Sequence, residues 1–470
     1  MRKHIKTLVA LLTSLAITSA CVGQEASTRS SSTGWEVATP GSVGVDADLL
    51  ADLRVAAEDG VFQNVNAILI ARRGRLVFEE YFNGFDAGTL QYTASVSKSV
   101  GSILLGIAMD HGLVPGLDDE VLDTSLVDLL PEHASVFEAD PRKREILFRH
   151  ALSMSGGLEW DETSYPYSDS RNDWIQASQN ADPVGFALSR PVVAEPGAEF
   201  TYHGVYSIIP SYLIERATGA PAETFAAEYL FGPLGIEEWQ WASIANGLTD
   251  TDGGLSLRPR DMARLGQLYL DGGTWNGRQI VSEAWVDESS RRQIVNEDSP
   301  DYCLLWWCGD FHYGSRSAWT FFASGLGGQK IFIFPDLDLV AVVTQQVFGN
   351  PYDELNNMAI LSRYVLPAVD PAGSVEASSQ PESEALARYE GLYSGRGTPI
   401  RVELRDGALV AVSEDATTIR LVPLGEGRFK GTVMDMLDVQ FAFEPSGADR
   451  PDAVRVTWGF QEDEFRRLEP

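Results

Sequence analysis

The sequence predicts a protein of mixed α/β class (α+β): an antiparallel sheet flanked by helices, a helical subdomain beside it, and a small all-β domain at the C-terminal end. Three observations carry this. Strand-like apolar runs stand at both ends of a region spanning residues 43–368, a helical apolar period begins at Ser97, and beyond residue 384 the chain turns to short alternating segments between glycine turns.

Ala67 to Ala71 and Leu76 to Tyr81 flank Arg72-Arg73-Gly74-Arg75 and read as a hairpin opening the sheet. Val100, Ile103, Leu104, Ile107 and Ala108 recur at helical spacing and Gly112 follows as a stop, so a buried helix starts at or just before Ser97. The stretch from about Asp118 to Glu297 is helical and loop-rich. Strands return at Trp319 to Ala323, Lys330 to Phe334 and Leu339 to Thr344, and a helix from about Asp353 to Leu366 covers them. Residues 369–384, rich in Ser, Pro and Glu, read as a linker. In 385–470, Ile400 to Leu404, Leu409 to Val412, Ile419 to Val422, Val439 to Phe443 and Val454 to Trp458 form an accessory barrel or sandwich without a catalytic set.

Acidic residues number 67 against 36 Lys and Arg, a net charge of −31 that repels phosphate backbones and anionic head groups, so nucleic acid is excluded as a partner. Arg2, Lys3 and Lys6, the apolar run Leu8 to Ile17 and small Ser19-Ala20 have the layout of an export signal over residues 1–21. Cys21 there resembles a bacterial lipoprotein cleavage site, with Thr18 where such sites usually carry Leu; plain secretion is the alternative. Residues 22–42 then serve as a tether, and the protein is expected in the periplasm or outer envelope, touching membrane only through an N-terminal lipid. Export permits a disulfide between Cys303 and Cys308, whose spacing does not suit zinc.

The chemistry centres on Ser95-Val96-Ser97-Lys98, where loop gives way to helix. Residues three apart at a helix start project to one side, so a hydroxyl and an amine meet there. The hydroxyl needs a neighbour to take its proton, and an amine serves only if burial or nearby positive charge pulls down its pKa of about 10.4. The lysines are few (Lys3, Lys6, Lys98, Lys143, Lys330 and Lys430), so one Ser-x-x-Lys at a helix start stands above the roughly half a match that chance supplies.

This segment resembles the active-site motif of penicillin-recognising serine hydrolases, most nearly the class C β-lactamase-like branch with its esterases and 6-aminohexanoate-dimer hydrolases. The resemblance extends over about Val43 to Leu366 and includes Arg149 to Leu158, Gly253 to Ala263 and Gly327-Gly328-Gln329. It implies a β-lactamase/transpeptidase-like fold, a nucleophile Ser95, a general base Lys98 and an assisting Tyr202 from Thr201-Tyr202-His203-Gly204. Gly204 departs from the family pattern, which has Ser or Asn there. The third motif falls on Ala323-Ser324-Gly325-Leu326-Gly327-Gly328, where Ala323 lacks the charge that binds a penicillin-like carboxylate. An oxyanion hole from the N–H groups of Ser95 and Leu326 is implied, with Gly325 and Gly327 letting backbone approach substrate. Trp160, Tyr165, Trp174 and His203 are candidate substrate-lining residues.

No Gly-x-Ser-x-Gly elbow and no His-Glu-x-x-His spacing is present, which argues against an α/β-hydrolase triad and a zinc protease. The expectation is a serine hydrolase that forms an acyl-enzyme on small ester, amide or peptide-like substrates, with no metal or organic cofactor. A D,D-peptidase or β-lactamase acting on cell-wall-type substrates stays open, as does a catalytically silent envelope binding protein.

Overall fold

A computed structural model describes residues 35–296, 300–347, 352–371, 383–395, 399–413, 418–425, 427–433, 437–444 and 450–468. The expected export signal and most of the expected tether and linker lie outside the described residues.

The expected hairpin forms from β1 (Val65–Arg72) and β2 (Arg75–Tyr81). Arg73 and Gly74 both take left-handed backbone (φ 51° and 71°), the conformation a two-residue turn needs to match strand twist. The other strands of this sheet are β3 (Asp301–Tyr302), β4 (Trp307–Tyr313), β5 (Arg316–Gly325), β6 (Gln329–Phe334) and β7 (Leu339–Gln345). Together they give an antiparallel sheet of order β2-β1-β7-β6-β5-β4-β3. Sequence reading missed β3 and β4, because Gly309, Asp310 and His312 break the apolar run of β4.

Strand alternation divides the sheet between two cores. Ala67, Leu69, Ile331, Ala323 and Val342 pack with the apolar faces of α2 (Val96–Asp110) and α4 (Pro259–Leu270), whereas Ile68, Ile70, Phe332 and Val343 pack with α1 (Ala47–Glu58) and the C-terminal helix. That helix, α5 (Tyr352–Ile360), continues through a π turn at Leu361–Val365 into Leu366–Val369. From Val96 to Met109 every residue of α2 is buried, and α3 (Gly204–Thr218) lies against it.

The C-terminal region is a nine-stranded antiparallel sheet. Ile419 to Val422, read as one strand, is two: Thr418–Arg420 pairs with Ala408–Ser413 at one edge, and Val422–Gly425 pairs with Arg428–Val433 at the other. This bend joins the two edges and curls the sheet into a barrel. Inside it, Val439, Phe441, Phe443, Val454 and Phe465 pack together. Phe460 wedges between Phe311 and Phe322 with ring centroids 5.1 and 4.9 Å apart, and the His312 N–H donates to the Gly459 carbonyl at 2.6 Å, fixing the barrel to the back of the main sheet.

Candidate active site

Ala94 takes left-handed backbone (φ 48°), and Ser95, at φ −65° and ψ −3°, leads into α2. The first helical turn brings Lys98 beside it: the Lys98 Nζ donates to Ser95 Oγ at 3.1 Å. Ser95 is half-buried and Lys98 is 2% exposed. The same amine donates to the Asp252 carbonyl at 3.0 Å and forms an ion pair with Asp252 Oδ1. The loop bearing Asp252 is fastened to α2, since the Leu255 N–H donates to Ser97 Oγ at 3.1 Å while Ser97 donates to the Ala94 carbonyl. Cys303 and Cys308 are joined in a disulfide, and the loop between them takes hydrogen bonds from Ser99 and Ser102 of α2 at its Leu305 and Leu304 carbonyls.

Tyr202 stands two residues before α3, on the Lys98 side of the site. Its ring lies 4.8 Å from the Lys98 Nζ and stacks with Trp307 at 6.1 Å. Burial, and then the charges of Asp252 and Glu162, hold its phenol well above the usual range. The end of β5 closes the third side. A Cβ at Gly325 would fall on the Thr93 carbonyl and within 3.2 Å of Ala94 Cβ, so only glycine lets this strand approach the nucleophile's loop. Leu326 follows, half-exposed, and Gly327 and Gly328 complete the turn at φ 86° and 92°.

Several expectations need correction, among them Trp160 and Trp174, which are buried rather than lining the site. Lys98 was expected with a lowered pKa. Burial does pull it down and is the largest single effect, but the charges of Asp252, Glu162 and Tyr167 and the hydrogen bond to Asp252 together outweigh it and the amine is held protonated. His203 was expected to line the site. It is instead fully buried, sandwiched between Trp160 at 3.9 Å and Tyr206 at 4.0 Å, and burial lowers its pKa to about 3, so it is a neutral core residue.

The other aromatic candidates divide. Trp160 is buried and donates through Nε1 to Glu162 at 2.6 Å, and Trp174 packs beneath Gly204, so both support the site from below. Tyr165 stacks under the Arg171 guanidinium at 4.3 Å, whereas Tyr167 reaches Glu162 through its hydroxyl at 3.2 Å. Asp252 and Glu162 went unrecognised in the sequence reading. Their signals were Asp252 standing directly before Gly253-Gly254 and Glu162 two residues after Trp160.

Glu162 is buried, accepting from the Trp160 indole and, at 2.6 Å, from the Gly204 N–H. Burial first, and Asp252 second, raise its pKa from 4.5 to about 7; the same two causes raise Asp250 to about 6. The raised carboxyl costs stability as pH climbs. Below pH 4.5 it is protonated in both folded and unfolded chain, and between 4.5 and about 7 only the unfolded chain ionises it freely. Glu162→Gln is therefore expected to match the wild-type Tm near pH 4.5 and to exceed it at pH 8, by about 2 °C for each kcal/mol relieved. Parallel Tm–pH curves for the two proteins would exclude this assignment.

With a serine, a lysine and a tyrosine converging at the start of a buried helix beside a strand end, the arrangement is one for acyl transfer. The chain matches the Beta-lactamase family over residues 59–364. It belongs to the Beta-lactamase family. As a member it is a serine hydrolase, and its main sheet with the flanking helices is the β-lactamase/transpeptidase-like fold. This Beta-lactamase family chain is 25% identical over 320 residues to the 6-aminohexanoate-dimer hydrolase of Paenarthrobacter ureafaciens, which covers 65% of this chain and 79% of that protein. Its fold is similar to a family VIII carboxylesterase (TM-score 0.53, 17% identity, 69% of this chain and 99% of that one). It is also similar to the octameric penicillin-binding protein homologue from Pyrococcus abyssi (TM-score 0.51, 16% identity, 89% and 99%).

Proposed function

We propose that this chain hydrolyses small ester or amide substrates through an acyl-enzyme on Ser95. The observation that carries the reading is the Lys98 Nζ lying 3.1 Å from Ser95 Oγ, with the Tyr202 ring 4.8 Å from the same amine. Ser95 Oγ attacks the carbonyl carbon, its proton leaves through Lys98, Tyr202 helps pass a proton to the departing alcohol or amine, and water then releases the acid. The amides of Ser95 and Leu326, with the positive end of α2, face the developing oxyanion. Ala323 offers no charge to a penicillin-like carboxylate and two acidic side chains stand beside the amine, which favours neutral esters and amides over β-lactams. Relatives named for hydrolysis of a 6-aminohexanoate dimer and of carboxylic esters fit this substrate class.

The test is to incubate purified protein with p-nitrophenyl butyrate, nitrocefin and a fluorophosphonate, and to map the labelled peptide by mass spectrometry. Ester turnover with the label on Ser95 supports the reading. Nitrocefin turnover without ester turnover would replace it with a β-lactamase, and an unlabelled, inactive protein with a binding role.

Export and a lipid anchor on Cys21 complete the proposal, supported by the basic head at Arg2, Lys3 and Lys6, the apolar run Leu8 to Ile17, and Ser19-Ala20 before the cysteine. The mass of mature protein extracted from membranes checks it. A soluble chain still beginning at Met1 would sink it.

A further inference from the structure

Gly204 lacks the side chain that the family pattern places two residues after the tyrosine, and the structure shows what stands there instead. A Cβ on Gly204 would lie 2.9 Å from Asp252 Oδ1, 3.0 Å from Glu162 Oε2 and 2.7 Å from Trp174 Cε3. The vacant volume is occupied by two carboxyls arriving from elsewhere in the chain. Asp252 is 4% exposed and is held from several sides. Its Oδ1 ion-pairs with the Lys98 amine and lies 3.0 Å from Ser207 Oγ, and its carbonyl accepts from the same amine. The N–H groups of Asp252 and Gly253 both donate to Asp250 Oδ1 at 3.0 Å, which fixes the turn.

We infer that Asp252 is the positioning residue of Lys98 and the acceptor of its proton, taking over the place of the side chain missing at position 204. The inference rests on the acyl-enzyme reading of Ser95 and deepens it. A protonated lysine cannot accept the serine proton until it has lost one of its own. Here one N–H bond of the ammonium breaks and an O–H bond forms on Asp252, turning a buried ion pair into a neutral amine and a neutral acid without bulk solvent. The amine then takes the Ser95 proton as Oγ forms its bond to the carbonyl carbon. When the tetrahedral adduct collapses, the carbon–heteroatom bond breaks and the leaving group receives that proton by way of Tyr202. Asp252 hands its proton back to Lys98 and the ion pair is restored. Attack of water on the acyl-enzyme repeats the exchange, so one water is consumed and one acid and one alcohol or amine are released.

Other groups share this environment. Glu162 and Tyr167 face the pair from the segment before residue 172, Asp250 from the turn before Leu255–Leu257, Tyr92 from the strand Gln91–Tyr92 that pairs with Leu255–Leu257, Tyr202 from just before α3 and Tyr302 from β3. Of all these groups Asp252 holds the Lys98 ammonium most directly, through both its carboxyl Oδ1 and its carbonyl, whereas the Tyr202 ring lies 4.8 Å from it.

The test compares wild type with Asp252→Asn, near in shape but unable to accept the proton, by p-nitrophenyl butyrate kinetics from pH 5 to 10 and by fluorophosphonate labelling rate. The expected result is a fall of roughly 10²-fold in kcat with KM changed less than about threefold. The Asn variant should also gain a limb in which kcat climbs about tenfold per pH unit as Lys98 loses its proton to solvent, a limb absent from wild type. Asp252→Glu keeps an acceptor and should keep the wild-type shape of the profile at lower kcat, which serves as the second variant if the Asn protein does not fold. Wild-type kcat in Asp252→Asn, or a constant loss at every pH, would overturn the inference while leaving the nucleophile assignment standing. A wild type unlabelled at Ser95 would overturn both.

Discussion

Ser95→Ala is expected to lower kcat/KM for p-nitrophenyl butyrate by roughly 10⁴-fold or more and to abolish fluorophosphonate labelling, while the fold keeps its stability to within about 1 kcal/mol. The activity loss follows from chemistry, since without Oγ no acyl-enzyme forms and only binding and oxyanion stabilisation remain. The small stability change follows from the local structure. Ser95 sits in right-handed backbone that alanine adopts freely, its side chain caps no helical N–H, and it is half-buried. One hydrogen bond from the Lys98 ammonium to a half-buried hydroxyl is lost, but the ammonium keeps the Asp252 carboxylate and carbonyl. Circular dichroism and thermal melting of the variant supply the check. Residual turnover near the wild-type level would remove Ser95 from the chemistry, and a large drop in Tm would make the loss of activity uninformative.

The pair at the centre of the site was readable because it is local: three residues of helix fix the direction of Ser95 and Lys98 whatever the rest of the chain does. The charge state of Lys98 was not readable, because Asp252 is 154 residues away and meets the amine only once the 250–255 loop has docked on α2 through Ser97. The missing side chain at Gly204 was the available clue, since a lysine deprived of one partner in a buried site needs another. The misplacement of His203 has an equally local cause. His203 has extended backbone, φ −143° and ψ 99°, and neighbours along such backbone point to opposite sides, so Tyr202 entering the site sends His203 into the core. In the C-terminal region the strand Gln461–Leu468 was invisible because Phe465 is its one buried residue; what defines it is pairing with both Gly391–Ser394 and Ala453–Trp458.

Lys98→Ala is expected to differ from Ser95→Ala in kind, losing activity by about 10³-fold and stability by about 3–5 kcal/mol. Among the described residues Lys98 is the cation paired with Asp252, and Glu162 and Asp250 crowd the same volume. Removing it leaves acidic groups facing one another in a space closed to water, together with the cavity of a four-carbon side chain. An unpaired buried carboxylate folds most readily with a proton on it, so the stability gap between wild type and Lys98→Ala should narrow as pH falls from 8 toward 5. Added alkylamine of matching length would restore part of both properties if the amine acts as a charge and proton carrier at this position. A Lys98→Ala protein as stable as wild type at pH 8 would mean that the carboxyls do not depend on the ammonium, and the electrostatic account of the site would fail with it.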